Sequence, residues 1–260
     1  MDVPEKRRIE IKNILNSNKS VSVGNLSRLF KVSEITIRRD LTKLDKEGLL
    51  EKVHGGAIAK TSKEDYHPIY IEDIKQNKEK KERIAWEAAK LVSDGSSIIL
   101  ESGTTCLEIA YTLLEKKNLS IFTASVALAY ELWKIVLGRT DFEVNICGGL
   151  IEAKSNTLIG SPAVQYFNNI SADITFMGAV GVSVQQGYVT TSSQMDADVT
   201  RAIVKNSRRI ILVVDSSKFS QNAHIRVFPL NVLEAIVTDS GIDKKTAAAI
   251  KKMGLKLILA

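Results

Sequence analysis

Short apolar segments alternate with segments of helical period from residue 78 to the end of the chain. Because consecutive parallel strands need a crossover between them, this alternation is typical of a mostly parallel sheet covered by helices. The sequence therefore predicts an α/β domain over residues 78–260. The predicted strands are Ser97–Leu100, Ser120–Thr123, Phe142–Cys147, Ile174–Met177, Ile210–Val214, Ile236–Val237 and Leu255–Leu259. The predicted helices are one marked by Ile84, Ala88 and Leu91, and then Cys106–Leu114, Val126–Leu137, Val199–Asn206 and Lys244–Lys252.

Glycine and hydroxyl residues follow four of these predicted strands. Ligands of such sheets bind outside the carboxyl ends of the strands, so the four loops predict one shared cleft. Ser102–Thr105 precedes a helix whose free N–H groups suit a phosphate, although such residues also cap ordinary helices. Lys218 would pair with the phosphate or be a plain surface lysine, and the glycines also fit ordinary turns. The candidate ligand-binding residues are Ser102, Gly103, Thr104, Thr105, Gly148, Gly149, Gly178, Gly181, Asp215 and Lys218, with Asp198 as an alternative to Asp215 for hydroxyl groups.

The first 58 residues predict a smaller unit of three helices and a hairpin. Apolar residues at helical period mark a helix over Glu5–Ser17, a second with Leu26, Leu29 and Phe30, and a third with Ile37, Leu41 and Leu44. Ser33 is a suitable N-cap for the third helix, and Gly48 is placed to end it. Leu49–Val53 and Ala57–Ile58 predict two strands around a turn at His54–Gly56. This order is that of a winged helix-turn-helix.

The third helix turns a basic, hydroxyl-rich face away from its apolar side. Arginine donates two hydrogen bonds to guanine and hydroxyls bond bases or phosphates, so this face predicts contact with DNA. Residues 1–60 hold 13 Lys and Arg against 8 Asp and Glu, whereas the other 200 residues hold 23 and 22. A solvated basic helix without a partner and a helical domain that binds protein are the alternatives. The candidate DNA-binding residues are Ser33, Glu34, Thr36, Arg38, Arg39, Lys43, Lys52 and His54.

Several longer motifs match those of a known family: Val32-Ser33-Glu34-Ile35-Thr36-Ile37-Arg38-Arg39-Asp40-Leu41, His54-Gly55-Gly56-Ala57, Ser102–Thr105, Gly148-Gly149, Gly178–Gly181 and Asp215–Phe219. On these motifs the chain resembles the DeoR family of bacterial sugar-metabolism regulators. This resemblance implies a winged helix-turn-helix joined to a sensor domain similar to ribose-5-phosphate isomerase. It also implies a repressor that is released by a phosphorylated sugar. The chain departs from the family pattern at Glu101, where aspartate is usual, and at Thr200, where lysine is common.

An isomerase is the enzyme alternative to a sensor. Such an enzyme needs carboxylates for proton transfer. The equivalent loop here reads Met177-Gly178-Ala179-Val180-Gly181, and Arg201 stands where a glutamate is expected. The loops that would hold a phosphate persist without those groups, so we expect a sensor and not an enzyme. An interaction module without a ligand is the third class.

We expect three parts: the winged helix-turn-helix at 1–58, a linker at 59–77 and the effector-sensing domain at 78–260. A single winged helix-turn-helix covers few base pairs, so we expect a homo-oligomer, either a dimer or a tetramer, on a double-stranded DNA operator.

Metal, disulfide and membrane signals are weak in this sequence. His54, His67 and His224 are scattered, so neither a metal nor another cofactor is expected, and the two cysteines are expected as reduced thiols. No apolar run approaches the ~20 residues of a membrane helix. The N-terminal segment lacks the apolar core of a signal peptide, so a cytoplasmic location is expected.

Overall fold

The computed structural model describes residues 3–18, 20–59 and 76–260. The chain divides into two compact units, with the boundary between residues 67 and 68. Residues 60–75 of the predicted linker 59–77 lie outside the described residues. The two units are therefore taken one at a time.

The N-terminal unit contains three helices and a small antiparallel sheet. Its elements are α1 Val3–Asn18, β1 Ser20–Ser22, α2 Val23–Phe30, α3 Glu34–Lys46, β2 Leu50–Val53 and β3 Gly56–Ala59. The three strands pair in the order β1-β3-β2. Ile11, Ile37 and Leu41 are fully buried between the helices, which is the apolar side that the helical period predicted.

Capping by nearby residues fixes the ends of α2 and α3. The Ser22 hydroxyl accepts the Asn25 N–H at 3.1 Å at the start of α2, and that helix ends at Lys31, whose φ is 53°. The Ser33 hydroxyl accepts the Thr36 N–H at 3.3 Å, which confirms the predicted N-cap of α3. Gly48 follows the end of α3 with φ 75°, as a helix-terminating glycine does.

The hairpin turn is one residue shorter than predicted. His54 and Gly55 form the turn, and Gly56 is already the first residue of β3, so the predicted turn His54–Gly56 is wrong at its last position. The reason is close packing: a Cβ on Gly56 would overlap the carbonyl oxygen of Val21 in β1. Glycine at this position lets β3 lie between the other two strands.

Seven parallel strands form the central sheet of the C-terminal unit. They are β4 Ser97–Leu100, β5 Leu119–Thr123, β6 Phe142–Ile146, β9 Ile174–Met177, β12 Ile210–Val213, β14 Ala235–Thr238 and β15 Lys256–Leu259. Their order is β15-β14-β12-β9-β4-β5-β6. The predicted α/β fold with a mostly parallel sheet is confirmed.

Helices cover both faces of this sheet. The helices α4 Lys78–Ala89, α5 Thr104–Thr112 and α6 Val126–Val136 pack on one face, and α7 Ser161–Asn168, α8 Gln194–Lys205 and α9 Lys244–Lys252 pack on the other. The chain runs outward from β4 to β6 and then returns to the opposite side of β4 with β9. The loops after β4 and β9 therefore leave the sheet at its topological switch point, where open α/β sheets bind ligands.

Two small antiparallel sheets complete the unit, and the sequence predicted neither. They are formed by β7 Leu150–Glu152 with β8 Thr157–Ile159, and by β10 Gly181–Ser183, β11 Tyr188–Thr191 and β13 Ile225–Pro229. The helix α7 was not predicted either, and α8 begins five residues before the predicted Val199 because the Ser193 hydroxyl caps it by accepting the Asp196 N–H. The predicted helix Cys106–Leu114 likewise begins two residues earlier, at Thr104.

Other features of the described residues are brief. None of their helices has the length and apolar character needed to cross a bilayer. Within residues 3–18, 20–59 and 76–260, no group of three His, Cys, Asp or Glu side chains is placed to hold a metal ion. Cys106 and Cys147 are both buried and unpaired.

Candidate functional site

The outer face of α3 presents a cluster of basic residues. Ile37, Leu41 and Leu44 are buried beneath it, whereas Arg38 and Arg39 are exposed. A shallow concavity on this face is lined by Ile35, Arg38, Arg39, Thr42, Lys43 and Lys46. Ile35 is 66% exposed, so the face offers apolar contact as well as charge. A basic helix face of this kind suits the major groove of DNA.

Side-chain contacts order part of this face and leave the rest open to solvent. The hydroxyls of Ser33 and Thr36 lie 2.9 Å apart and hydrogen-bond each other. Arg38 lies 3.3 Å from the Glu34 carboxylate in an exposed pair, which contributes little stability. These contacts place Ser33, Glu34, Thr36 and Arg38 together at the N-terminal end of α3.

The hairpin lies beside the same helix. Lys52 in β2 donates from Nζ to the Thr42 hydroxyl at 2.9 Å, which links the hairpin to α3. His54 is exposed in the hairpin turn. The structure thus brings Lys52 to the α3 face and leaves His54 at the tip of the wing.

Asp40 is a structural residue of this unit that the sequence reasoning did not single out. It is buried, its carboxylate lies 2.6 Å from Arg7 Nε, and Arg8 Nη1 lies 3.5 Å away. These ion pairs attach α1 to α3. A signal existed, because Asp40 falls on the buried side of the helix, three residues after Ile37 and four before Leu44.

A cavity of about 320 Å³ lies at the switch point of the large sheet. The loops after β4, β9 and β12 line it, and they include Ser102, Gly103, Thr104, Thr105, Gly178, Asp215 and Lys218. At the start of α5 Gly103 takes φ 153°, and no side chain caps the helix. An uncapped helix start carries free N–H groups and positive potential, which favour an anion.

A buried carboxyl group, Glu101, forms another part of the cavity wall. Its two oxygens accept hydrogen bonds from the Thr200 hydroxyl and the Gly178 N–H, each at 2.9 Å. Burial and then the nearby charge of Asp196 raise the pKa of Glu101 to about 8, although both hydrogen bonds act to lower it. Glu101 is therefore mostly protonated at neutral pH.

Lys81 and Asp196 also line the cavity, and the sequence reasoning missed both. Lys81 is buried despite lying in a charged helical segment. Asp196 accepts a hydrogen bond from the Thr191 hydroxyl at 3.0 Å, and burial is the main cause of its raised pKa. Neither residue stands in a loop after a parallel strand, which was the signal that found the others.

Two family models match the chain. One, described as the DeoR-like helix-turn-helix domain, matches residues 7–63, and the other, described as the DeoR C terminal sensor domain, matches residues 76–240. The chain belongs to the DeoR family. It is a DNA-binding transcriptional regulator with a C-terminal sensor domain.

Several relatives match this DeoR-family chain along most of their length. The HTH-type transcriptional regulator GolR of Listeria innocua is 30% identical over 99% of this chain and 99% of its own. The glycerol-3-phosphate regulon repressor of Escherichia coli K12 is 32% identical over 85% of this chain and 84% of its own. These proteins are regulators, and the chain is likewise not an enzyme.

A weaker likeness joins the chain to a solved enzyme structure. Ribose 5-phosphate isomerase A of Methanocaldococcus jannaschii is similar at a TM-score of 0.38 and 19% identity, over 55% of each chain. At that level the likeness carries no conclusion about activity.

Three of the glycines predicted to bind ligand do not line the cavity of this DeoR-family chain. A Cβ on Gly149 would stand 2.6 Å from the Ile159 carbonyl oxygen, and one on Gly181 would overlap that of Gln221. Gly149 and Gly181 therefore allow close packing of backbones, whereas a Cβ on Gly148 would meet no atom within 4 Å. Asp198 is exposed and pairs with Arg201 at 2.9 Å, so Asp215 is the cavity residue of the two.

Proposed function

We propose that this DeoR-family regulator is a repressor of carbohydrate-metabolism genes and that a phosphorylated sugar bound in the switch-point cavity controls it. The observation that carries the proposal is the uncapped start of α5 facing a cavity that also holds Lys218. Two relatives support the proposal that the chain represses carbohydrate-metabolism genes: one is a glycerol-3-phosphate regulon repressor and the other a putative aga operon transcriptional repressor.

The phosphate would lie at the start of α5. There the N–H groups of the first turn, the hydroxyls of Thr104 and Thr105, and the ammonium of Lys218 supply donors and positive charge. The cavity volume of about 320 Å³ falls at the lower end of the range for small-molecule sites, about 300–1,000 Å³. A small sugar phosphate is the class that this volume favours.

The sugar hydroxyls would meet the carboxyl groups of the cavity wall. Asp196 and Asp215 are carboxyl groups of that wall and are suited to accept hydrogen bonds from hydroxyls. Glu101 and Thr200, the two departures from the family pattern, bond each other at 2.9 Å. We infer that this contact shapes the sugar end for an effector other than that of relatives with aspartate and lysine there.

The test compares ligand binding with DNA release. Wild-type protein is screened by thermal shift against inorganic phosphate, glycerol 3-phosphate, ribose 5-phosphate and fructose 6-phosphate, since a ligand of the folded state raises stability. DNA affinity is then measured on a duplex selected from a random-sequence pool by the wild-type chain. We expect Thr104→Val and Lys218→Ala to keep DNA affinity and to lose the response to the sugar phosphate.

Lys117→Ala provides the matched control, because Lys117 is exposed and does not line the cavity. This variant should respond as the wild type does. If Thr104→Val and Lys218→Ala both still released DNA at the wild-type effector concentration, the phosphate would not bind where we propose.

DNA contact is proposed for the outer face of α3 and the hairpin. Arg38 and Arg39 would contact base edges, with the Ser33 and Thr36 hydroxyls fixing the register on the backbone. Glu34 and Lys43 lie on the same helix and would flank these contacts. Lys52 and His54 of the hairpin would reach the backbone or a minor groove.

Self-association is proposed through the surface formed by α4, α5 and α6. Both tryptophans of the chain are exposed there, Trp86 by 63% and Trp133 by 53%, and Tyr111 donates to Glu131 between them at 2.9 Å. Exposed Trp and Tyr are typical of interfaces. The surface carries both signs of charge, including Lys134 beside Glu131, which suits a second copy of the chain better than DNA.

Light scattering of the full chain at micromolar concentration tests this. The expected mass is at least twice the 28.6 kDa of one chain, and Trp86→Lys or Trp133→Lys should lower it. A wild-type mass of 28.6 kDa with and without DNA would contradict the proposal.

The cytoplasmic location stays a prediction.

A further inference from the structure

The first turn of α4 forms part of the cavity wall. Gln76, Asn77 and Lys81 line the cavity, and the chain enters this turn directly from residues 60–75, which join the two units in sequence. Asn77 occupies the N-cap position with φ 56°, yet its side chain does not cap the helix. Its amide Nδ2 instead donates to the Asp215 carboxylate at 3.2 Å.

Lys80, one turn further along, makes a second attachment to the same loop. Its Nζ donates to the Ser216 hydroxyl at 3.1 Å and lies 3.2 Å from the Asp239 carboxylate. Asp239 is 1% exposed and also accepts the N–H groups of Ser216, at 2.6 Å, and Gly241, at 2.9 Å. Although burial acts to raise it, these hydrogen bonds and that of Lys80 hold the pKa of Asp239 below its ordinary value.

The loop after β12 therefore faces two ways. Asp215 and Lys218 line the cavity, while Asp215 and Ser216 hold the first turn of α4. Asp215 Oδ1 already accepts the Ser217 N–H at 3.0 Å and the Ser217 hydroxyl at 2.5 Å, besides the Asn77 amide. A ligand hydroxyl that bonds to Asp215 would compete with the Asn77 amide for that crowded oxygen.

We infer that Asn77 and Lys80 are positioning residues that couple occupancy of the cavity to the segment leading to the DNA-binding unit. The inference rests on the proposed function, since it requires a ligand in this cavity. A ligand changes DNA affinity only by binding one arrangement of the protein better than another. Here the two arrangements differ in whether the start of α4 is attached to the loop after β12.

A merely structural role for these contacts makes a different prediction. Loss of a structural contact lowers stability or ligand affinity, but ligand that does bind still changes DNA affinity as fully as in the wild type. Loss of a coupling contact that competes with the ligand leaves ligand affinity unchanged or tighter and removes the effect of the ligand on DNA. The readout is thus the ratio of DNA dissociation constants with and without ligand, measured beside the ligand dissociation constant.

The experiment uses Asn77→Ala, Lys80→Ala and the conservative Lys80→Arg in the full chain. Glycerol 3-phosphate, ribose 5-phosphate and fructose 6-phosphate are the probes, with calorimetry for binding and fluorescence anisotropy on the selected duplex for DNA. Lys78→Ala is the matched control, because Lys78 lies in the same turn and pairs with Glu82 at 3.7 Å. Asn77→Ala keeps the Lys80–Asp239 pair, so it tests the inference even where Lys80→Ala does not fold.

Wild-type coupling is expected in the range typical of allosteric proteins, about 5–150-fold in DNA affinity. Asn77→Ala and Lys80→Ala should bind the active probe at least as tightly as the wild type, because the attachment that competes with the ligand is weakened, and they should change DNA affinity by less than about twofold on binding it. Lys80→Arg and Lys78→Ala should keep the wild-type response. A full response in Asn77→Ala, or a response lost only because probe binding is lost, overturns the coupling inference and leaves the proposed function standing. If no probe changes the DNA affinity of the wild type, the proposed function and this inference both fall.

Discussion

Replacing Glu101 with glutamine should remove a pH dependence from the stability of the sensor unit. The pKa of Glu101 is about 8 in the folded chain, against an ordinary value of 4.5, because the group is buried near Asp196. Between these values the folded chain keeps the proton and the unfolded chain releases it. The free energy of unfolding therefore falls as pH rises, by about 1.4 kcal/mol per pH unit.

The wild type should lose about 2.5 kcal/mol between pH 5.5 and 7.5 from this group, a contribution present in full only below the ordinary pKa. Glutamine has no proton to release, so Glu101→Gln should lack this loss. Its oxygen can still accept the Gly178 N–H, and the Thr200 hydroxyl can accept from its amide, so at pH 5.5 the two proteins should agree within about 1 kcal/mol.

Urea unfolding followed by tryptophan fluorescence measures this directly. Trp86 and Trp133 are the only tryptophans of the chain and both lie in the sensor unit, so the signal reports that unit. Glu115→Gln, at an exposed carboxylate, is the control and should keep the wild-type slope. Equal losses of stability in the wild type and Glu101→Gln over this pH range would refute the reasoning.

The DNA-binding unit yields three further predictions. Arg39→Ala should weaken binding to the selected duplex by about 1–3 kcal/mol, and unchanged gel-shift affinity would remove Arg39 from the base contacts. Asp40→Ala should destabilise the N-terminal unit by about 3–5 kcal/mol because it leaves the largely buried Arg7 without its partner, and amide hydrogen exchange in residues 20–59 measures the loss. Gly56→Ala should lower the melting temperature more than Gly55→Ala, because a Cβ at Gly56 would overlap the Val21 carbonyl oxygen, whereas Gly55→Ala adds only about 1–2 kcal/mol of strain from its positive φ. Equal decreases in melting temperature would contradict the overlap with Val21.

The parallel sheet could be predicted because its central strands are nearly continuous apolar runs. Ser97–Leu100 and Ile174–Met177 were predicted with the bounds that the structure has, since strands covered on both faces contain few polar residues. The strands β10 and β11 contain three and four residues with serine and threonine among them. Their pairing depends on partners distant in sequence, so the local pattern gave no signal.

The candidate cavity followed the same division. Residues directly after β4 and β12 were found because parallel strands bring their carboxyl ends to one edge. Lys81 and Asp196 come from helices, and only tertiary packing places them at the cavity wall. Gly149 and Gly181 were included although they do not line the cavity, because a glycine that admits a ligand and one that admits a neighbouring backbone have the same sequence signal.

The strand β1 continues directly into α2, and this junction joins the hairpin to the helices of the DNA-binding unit. Ser22 both pairs with Gly56 and caps α2, and the Val23 N–H donates to the Gly55 carbonyl at 2.9 Å. The hairpin and the helices therefore form one body, in which the hairpin has a fixed position relative to α3. Such a unit would change its preferred DNA sequence through side chains on its surface, and, if the proposed self-association holds, an effector would act on DNA by changing the spacing of two such units.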